Sequence, residues 1–282
     1  MTKTASDKIA SFASRLGQTA KSIVKLLTQR RRATIIKADA DTSRPLIILA
    51  NGPSLNQTIA ESLPSLQAHP TLAVNFAANA PEFRTLRPRY YVLIDPHFFS
   101  ATDDPNVTRL WDNLARVDWP MTLIVPARRR RLIPASVNID TLTVNDIAVE
   151  GFLPLENAAF ARGWGMPRPR NVLIPSIMAA IAMGFKEIYL TGADHSWMKT
   201  ISVNDNNRVV SIQPHFYKDN DKELARVRTD YLHRPLHTIL DSFRIAFASY
   251  HTIARFAATR GIRIVNSTPG SYIDAFPRAP LP

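Results

Sequence analysis

From residue 45 onward, short runs of apolar residues alternate with amphipathic stretches, and this alternation limits the chain to a small set of folds. The apolar runs lie at Pro45–Ala50, Leu72–Asn75, Tyr90–Asp95, Met121–Val125, Asp140–Val144, Glu187–Leu190 and Ile262–Asn266. Runs without polar alternation are typical of strands covered on both faces. Helices are predicted near Gln57–Leu66, Asn106–Arg116, Pro175–Gly184 and Leu236–Arg260. We therefore expect an α/β fold with a mostly parallel sheet and helices on both faces.

The positive charge of the chain is concentrated at its beginning. The net charge is +12, and the first 43 of the 282 residues contain nine basic and three acidic side chains, which is half of that excess. Apolar residues recur there at helical spacing, at Ile9, Phe12, Leu16, Ile23, Leu26 and Leu27. We expect a basic amphipathic helix and linker over residues 1–43, followed by one domain over residues 44–282.

This helix allows two interpretations. Residues 1–37 are predicted to lie on an anionic membrane surface, or else the helix packs on its own domain. Nucleic acid is not expected as a partner, because neither a binding motif nor interleaved aromatic residues accompany the basic clusters. The sequence has no cysteine and no run of about 18 apolar residues, which excludes disulfides, thiol catalysis, Cys-ligated metals and a membrane span. We expect a cytoplasmic protein at the inner membrane face, and an oligomer is compatible with the sequence.

Polar residues follow several predicted strands, at the ends where parallel sheets bind ligands. The first strand is followed by Asn51-Gly52-Pro53-Ser54, in which Gly52 permits close approach of the backbone and Ser54 precedes helical N–H groups suited to a phosphate. Other strands end in Asn75, Asp95 and Asp194. Together these residues predict a polar, nucleotide-sized site. The basic run Arg128–Arg131, directly after another strand, favours an anionic ligand.

Residues 196–235 are predicted to form a lid, because they are polar, contain His and Tyr, and show a hairpin-like alternation. The histidines that offer acid–base chemistry are His195, His215, His233 and His237. The last two stand four residues apart, a spacing that can serve a metal, but no third ligand accompanies them in a known pattern. We therefore assign no metal ligand.

Five segments resemble a known family when they are taken in order. They are ILANGPSL at 48–55, AVN at 73–75, LID at 93–95, PSIMAAIAMGFKEIYLTGAD at 175–194 and PHFYKDN at 214–220. They resemble the bacterial sialyltransferases of glycosyltransferase family 42 and the related 6-hydroxymethylpterin diphosphokinase-like superfamily, which includes the motility-associated-factor glycosyltransferases. The closing segment IRIVNSTPGSYIDAFPR at 262–278 resembles the end of that superfamily's domain. The resemblance implies a Rossmann-like domain with a small lid.

The resemblance also implies a reaction, in which a CMP-activated acidic sugar is transferred with inversion to a cell-surface glycan or lipid-linked acceptor, without a required cofactor. The residues that it implies for donor binding are Asn51, Gly52, Pro53, Ser54, Asn75, Asp95, Ser176, Asp194 and Tyr217. The implied general base is the lid histidine His233, with His237 and His215 as alternatives.

The chain departs from this family in two of its motifs. It has Asp95 where those sialyltransferases have Asn, and His195-Ser196 where they have an aromatic pair, so Tyr217 or Tyr231 would have to contact the donor phosphate. Two alternatives stay open. One is a Mg²⁺-ATP-dependent diphosphokinase in which Asp95 and Asp194 hold the metal. The other is a non-catalytic glycan-binding module tethered by its N-terminal helix.

Overall fold

The computed structural model describes residues 4–37, 40–101, 103–210 and 234–282. Its strands are Leu46–Leu49 (β1), Thr71–Val74 (β2), Tyr90–Val92 (β3), Met121–Pro126 (β4), Ile139–Val144 (β5), Glu187–Thr191 (β6), Ser202–Val203 (β7), Val209–Val210 (β8) and Arg263–Asn266 (β9). Seven of them form the central sheet, whereas β7 and β8 form a separate antiparallel hairpin.

The strand order places β1 inside the sheet, with neighbours from two different parts of the chain. The order is β5-β4-β3-β2-β1-β6-β9, and all neighbouring pairs are parallel. Ile48 of β1 is opposite Leu72 of β2 on one side and Leu190 of β6 on the other. The chain therefore runs outward from β1 to β5 and then returns to the other side of β1. The predicted α/β fold with a mostly parallel, Rossmann-like sheet is confirmed.

Helices connect the strands and cover the sheet. The α-helices are Ala5–Gln29 (α1), Ser54–Ala68 (α2), Phe83–Leu86 (α3), His97–Ser100 (α4), Pro105–Ala115 (α5), Leu153–Ala161 (α6), Leu173–Met183 (α7) and Leu236–Ala258 (α8). Short 3₁₀ helices lie at Ile35–Lys37, Asn75–Asn79, Ala127–Leu132 and Trp197–Thr200. The sequence pattern did not predict α6.

The start predicted for α7, at Pro175, is two residues late. The helix begins at Leu173, because Oδ1 of Asn171 accepts a hydrogen bond from the Leu173 N–H over 3.0 Å. Pro175 still lies in the first turn, where its missing N–H costs no helical hydrogen bond. Gly184 ends the helix in the left-handed region, at φ 99°, as predicted.

The apolar runs are explained by burial on both faces of the sheet. Leu46 and Ile48 pack in the same cluster as the apolar residues of α7, whereas Ile47 and Leu49 pack on the opposite face with Leu55 of α2. All four residues of β1 are buried. Because successive side chains of a strand point to opposite faces, a strand covered on both sides needs apolar residues throughout.

The N-terminal segment packs on the domain. The Ser22 hydroxyl of α1 donates to the Glu150 carbonyl oxygen over 2.8 Å. Beyond the helix, the N–H of Thr34 donates to the carbonyl oxygen of Thr143 in β5 over 3.2 Å. Part of the predicted linker is therefore hydrogen-bonded to an edge strand of the sheet. Among the helices described, we find none long and apolar enough to cross a membrane.

Candidate functional site

A cavity of about 650 Å³ opens at the carboxyl ends of the central strands. Its walls come from the loops after β1, β2, β3 and β6, together with the segment that precedes α7. It lies where the strand order reverses beside β1, which is the position at which open parallel sheets bind ligands. Its volume is within the range of about 300–1,000 Å³ that is common for small-molecule sites. The predicted site residues Asn51, Gly52, Pro53, Asn75, Asp95 and Asp194 all line it.

Two glycines bring the loops after β1 and β6 into contact. The N–H of Gly52 donates to the carbonyl oxygen of Gly192 over 2.7 Å. A Cβ atom on Gly52 would lie 1.8 Å from Oδ2 of Asp194, and one on Gly192 would lie 2.7 Å from the Ala50 carbonyl oxygen. Gly192 also has a φ of 66°, which residues with side chains rarely adopt. Glycine at both positions lets two strand ends form one wall of the cavity.

A side-chain hydrogen bond joins the same two loops. The hydroxyl of Ser54, the first residue of α2, donates to Oδ2 of Asp194 over 2.7 Å. The resemblance implied Ser54 for donor binding, but Ser54 does not line the cavity and its hydroxyl proton is engaged in this bond. The carboxylate of Asp194 in turn gains a partner that holds it at the cavity wall.

Asn51 is a buried polar side chain of the cavity, and its amide has no hydrogen-bond partner among the residues described. It is only 9% exposed, and neither its Nδ2 nor its Oδ1 has a partner among the residues described. A buried amide without partners is unfavourable by about 1–3 kcal/mol. Because Asn51 lines the cavity, a ligand with both a donor and an acceptor would satisfy it.

The loops after β2 and β3 supply further polar groups. Asn75 has a left-handed backbone, with a φ of 52°, and its carbonyl oxygen accepts a hydrogen bond from the Tyr91 hydroxyl over 2.5 Å. Asn tolerates this conformation better than most residues. Asp95 is exposed at the cavity, and its Oδ1 accepts a hydrogen bond from the His97 N–H over 2.9 Å. These hydrogen bonds hold the backbone of Asn75 and the side chain of Asp95 at the strand ends.

A buried polar network forms the wall behind Asp194. Nε2 of His195 lies 2.6 Å from the Tyr250 hydroxyl, which donates to Oδ1 of Asn171 over 3.0 Å. The His195 ring also lies against Trp197, with ring centroids 4.3 Å apart. His195 has a φ of 50°, so its backbone is strained. The network links the loop after β6 to α8 and to the start of α7.

Burial controls the protonation of this network. It lowers the pKa of His195 to about 3, so the imidazole is neutral at neutral pH. Burial also raises the pKa of Tyr250 and keeps its hydroxyl protonated. A histidine with so low a pKa is a weak base, and we therefore interpret His195 as part of the wall and not as the proton acceptor.

Basic side chains surround the cavity. Arg128 lines it, and its Nη2 lies 2.6 Å from Oδ2 of Asp146, a carboxyl group whose pKa is raised by burial. Arg170 and Lys199 also line the cavity, and neither forms an ion pair with any residue that the structure describes. Of the run Arg128–Arg131, Arg128 alone reaches the cavity. These cations favour an anionic ligand.

The remaining predicted site residues lie elsewhere or outside the described ranges. Ser176 is fully buried in α7, where its hydroxyl donates to the Val172 carbonyl oxygen over 2.8 Å, and it does not line the cavity. His237 is exposed in the first turn of α8 and does not line the cavity either. His215, Tyr217, Tyr231 and His233 lie outside the described residues, so their predicted roles stay predictions.

Within the predicted lid, the structure describes residues 196–210 and 234–235. They include a 3₁₀ helix and the β7–β8 hairpin. Trp197, Lys199 and Thr200 of the 3₁₀ helix line the cavity. In the part of the chain described, no three His, Cys, Asp or Glu residues are arranged to hold a metal ion.

Sequence reasoning did not select Asn171, Trp197 or Tyr250 as site residues. Asn171 carries a detectable signal, because Asn directly before an apolar helix is a common helix-capping residue. Tyr250 carries none, since an aromatic residue in the apolar pattern of a long helix is indistinguishable from a core residue.

Comparison with known proteins gave a likeness of low similarity among the solved structures. A scan against protein-family models found no match, and a search of the curated proteins found none. Among solved structures, the chain is similar to a MAf glycosyltransferase from Magnetospirillum magneticum AMB-1, with 14% sequence identity and a TM-score of 0.49. The match covers 95% of this chain and 38% of that one. A likeness of this size carries no conclusion about activity, and the resemblance to the family 42 sialyltransferases stays an expectation.

Proposed function

We propose that the cavity binds the nucleotide part of a sugar donor and that the protein transfers the sugar to a glycan or lipid-linked acceptor. The observation that carries this proposal is the unpartnered amide of Asn51, buried in a cavity at the switch point of the sheet. An amide offers a donor and an acceptor together, which suits the polar edges of a sugar or a nucleobase.

The charges around the cavity support an activated, phosphate-bearing donor. Arg128, Arg170 and Lys199 line the same space as the strand-end loops. In sugar transfer, the bond between the anomeric carbon and the phosphate oxygen breaks, and the nucleotide leaves with the electron pair. Cations near that phosphate stabilise the charge that develops on it. We assign this role to the three basic residues.

The finer features of the donor and mechanism rest on the sequence resemblance. It favours a CMP-activated acidic sugar, transferred with inversion and without a metal. The acceptor oxygen forms the new bond to the anomeric carbon, and a base takes the acceptor proton. His233 is the residue proposed for that base.

The test is release of CMP from a CMP-activated acidic sugar, measured in excess EDTA with an acceptor mixture of bacterial glycolipids. The proposal predicts turnover that Arg170→Gln lowers by about 10-fold or more, because an exposed cation facing the donor phosphate is lost. Arg109→Gln is the matched control, since Arg109 is an exposed arginine of α5 outside the cavity. Donor binding without any turnover would favour the non-catalytic binding module.

A second candidate is diphosphoryl transfer from Mg²⁺-ATP. The specific observation in its favour is that three carboxylates, those of Asp95, Asp146 and Asp194, line the cavity. Mg²⁺ is commonly held by one or two carboxylates together with substrate phosphates. If ATP displaces CMP and EDTA abolishes nucleotide turnover, this reaction replaces sugar transfer.

A further inference from the structure

The N-terminal helix leaves its apolar side exposed. Ile9, Phe12, Leu16, Ile23 and Leu27 lie three, four or seven residues apart and therefore share one face of α1. Each of them is between 43% and 80% exposed. We call these five residues the apolar stripe. Of the apolar residues that predicted this helix, Leu26 alone is buried.

The face of α1 that holds the helix on the domain adjoins the apolar stripe, because the ring centroids of Phe12 and Phe152 lie 5.4 Å apart. The N–H of Phe152 donates to the Thr19 hydroxyl over 3.0 Å, and the Ser22 hydroxyl contacts the backbone of Glu150. Gly151 allows this approach, because a Cβ atom there would lie 2.1 Å from Oγ1 of Thr19. The docked face is thus largely small and polar, and it fixes the direction in which the apolar stripe points.

A pocket of about 450 Å³ with four arginines follows directly after α1. Arg30, Arg31, Arg32 and Arg162 line it, and we call it the arginine pocket. The guanidinium groups of Arg30 and Arg162 lie 4.5 Å and 5.2 Å from the centre of the Trp164 ring.

The arginine pocket is held in place by a buried side chain. Oδ1 of Asn145 accepts from the Arg31 N–H, and its Nδ2 donates to the carbonyl oxygens of Arg31 and Gly163. These three hydrogen bonds fasten the segment after α1 to the turn after α6. The backbone that carries the arginines is therefore held in place by these hydrogen bonds.

The charges of the arginine pocket are uncompensated by carboxylates. Within the described ranges, none of its four arginines forms an ion pair. On α1 itself, Lys8, Arg15, Lys21 and Lys25 outnumber Asp7. Clustered cations repel one another unless an anion lies among them. An apolar stripe with basic surroundings matches the acyl region and the phosphates of an anionic bilayer.

We propose that α1 and the arginine pocket together form a docking surface for an anionic phospholipid membrane. The apolar stripe enters the boundary between headgroups and acyl chains, and the arginine pocket binds lipid phosphates. A second copy of the chain fits this surface less well, because it would bring the same positive charges to the contact. The proposal does not depend on the reaction at the cavity.

Vesicle co-sedimentation of the full chain tests this proposal. The vesicles contain phosphatidylcholine alone or with about one third phosphatidylglycerol, at physiological ionic strength. We expect binding to the anionic vesicles and about 10-fold or weaker binding to the neutral ones. Leu16→Gln with Ile23→Gln should lower binding to the anionic vesicles by about 10-fold or more. The matched control is Val137→Gln, which alters a fully exposed apolar residue outside α1.

A charge-matched pair of variants tests the arginine pocket. Arg31→Gln with Arg32→Gln should lower binding to anionic vesicles by about 10-fold or more, because two cations leave the proposed lipid contact. Arg130→Gln with Arg131→Gln removes the same charge from exposed positions elsewhere and should change binding much less. Circular dichroism establishes that each variant is folded.

Three results would overturn the proposal. The first is absence of binding to anionic vesicles by the folded wild-type chain. The second is an equal loss of binding in both double-arginine variants, which would indicate attraction by net charge alone. The third is a wild-type dimer in sedimentation velocity that Leu16→Gln with Ile23→Gln dissociates, since the apolar stripe would then bind a second copy. CMP binding, measured in parallel, is expected to be unchanged in all variants.

Discussion

The hydroxyl of Ser54 and the carboxylate of Asp194 lie 2.7 Å apart and join the first turn of α2 to the loop after β6. These residues are 140 positions apart in the sequence. The bond closes one wall of the cavity across the contact between β1 and β6. Because the acceptor is a charged group that is partly buried, the bond contributes to stability as well as to the shape of the site.

Ser54→Ala tests this bond. We expect the free energy of unfolding to fall by about 1–2 kcal/mol, because Asp194 loses a donor in a partly buried position. Urea denaturation at neutral pH measures the change. Ser100→Ala is the control, since its hydroxyl donates to the carbonyl oxygen of Pro96, directly before α4, and joins no loops. Equal effects of both substitutions would contradict the assigned role.

Gly52→Ala tests the close approach of the two loops. We expect a loss of at least about 2 kcal/mol in unfolding free energy, because the added Cβ would overlap Asp194 and the Gly192 carbonyl oxygen. Gly17→Ala is the control, and the expected change in stability has the opposite sign. Nothing lies within 4 Å of a Cβ atom at Gly17, which is inside α1, so this change should raise stability by about 1 kcal/mol. A neutral Gly52→Ala would show that the loops are free to separate.

The fold and the position of the cavity were predictable from the sequence for a common physical reason. A parallel sheet needs strands that are apolar on both faces, and it gathers the residues after those strands at one edge. One short segment shows both properties, because the apolar strand Pro45–Ala50 is followed directly by the polar loop NGPS. Asn75, Asp95 and Asp194 followed from the same geometry.

Other features depend on packing that no local pattern encodes. Hydrophobic periodicity predicts which residues share a face of α1, but Thr19 and Ser22 form the docked face and the apolar stripe stays exposed. Helix α6 was not predicted, because its apolar residues are not confined to one face of the helix and Pro154 lies near its start. Tyr250 contacts His195 across 55 positions of sequence, a distance over which pattern reasoning gives no information.

His195 makes stability depend on pH in a defined direction. Its pKa is about 3 in the folded chain and about 6.5 when unfolded, so the unfolded chain binds this proton first as the pH falls. The contribution of neutral His195 is complete above about pH 6.5 and is lost progressively toward about pH 3. At about pH 5 the expected loss is about 2 kcal/mol.

His195→Asn isolates this contribution. Asn tolerates the left-handed backbone at this position and does not titrate. Urea denaturation near pH 7 and near pH 5 should show a smaller difference in unfolding free energy for the variant than for the wild type. If both proteins lose the same stability between these conditions, His195 is not the group responsible.

We propose that the unpartnered amide of Asn51 is a ligand-binding group of a nucleotide site. The most direct test is calorimetric titration of CMP into the wild-type chain and into Asn51→Ala, in the presence of EDTA, with unfolding free energy measured alongside. We predict that CMP binds the wild type, that the substitution weakens binding by about 10-fold or more, and that the unfolding free energy does not fall, because the amide has no partner to lose. Equal CMP affinity in the two proteins, or a wild type that does not bind CMP, would contradict the assignment of Asn51 to a nucleotide site.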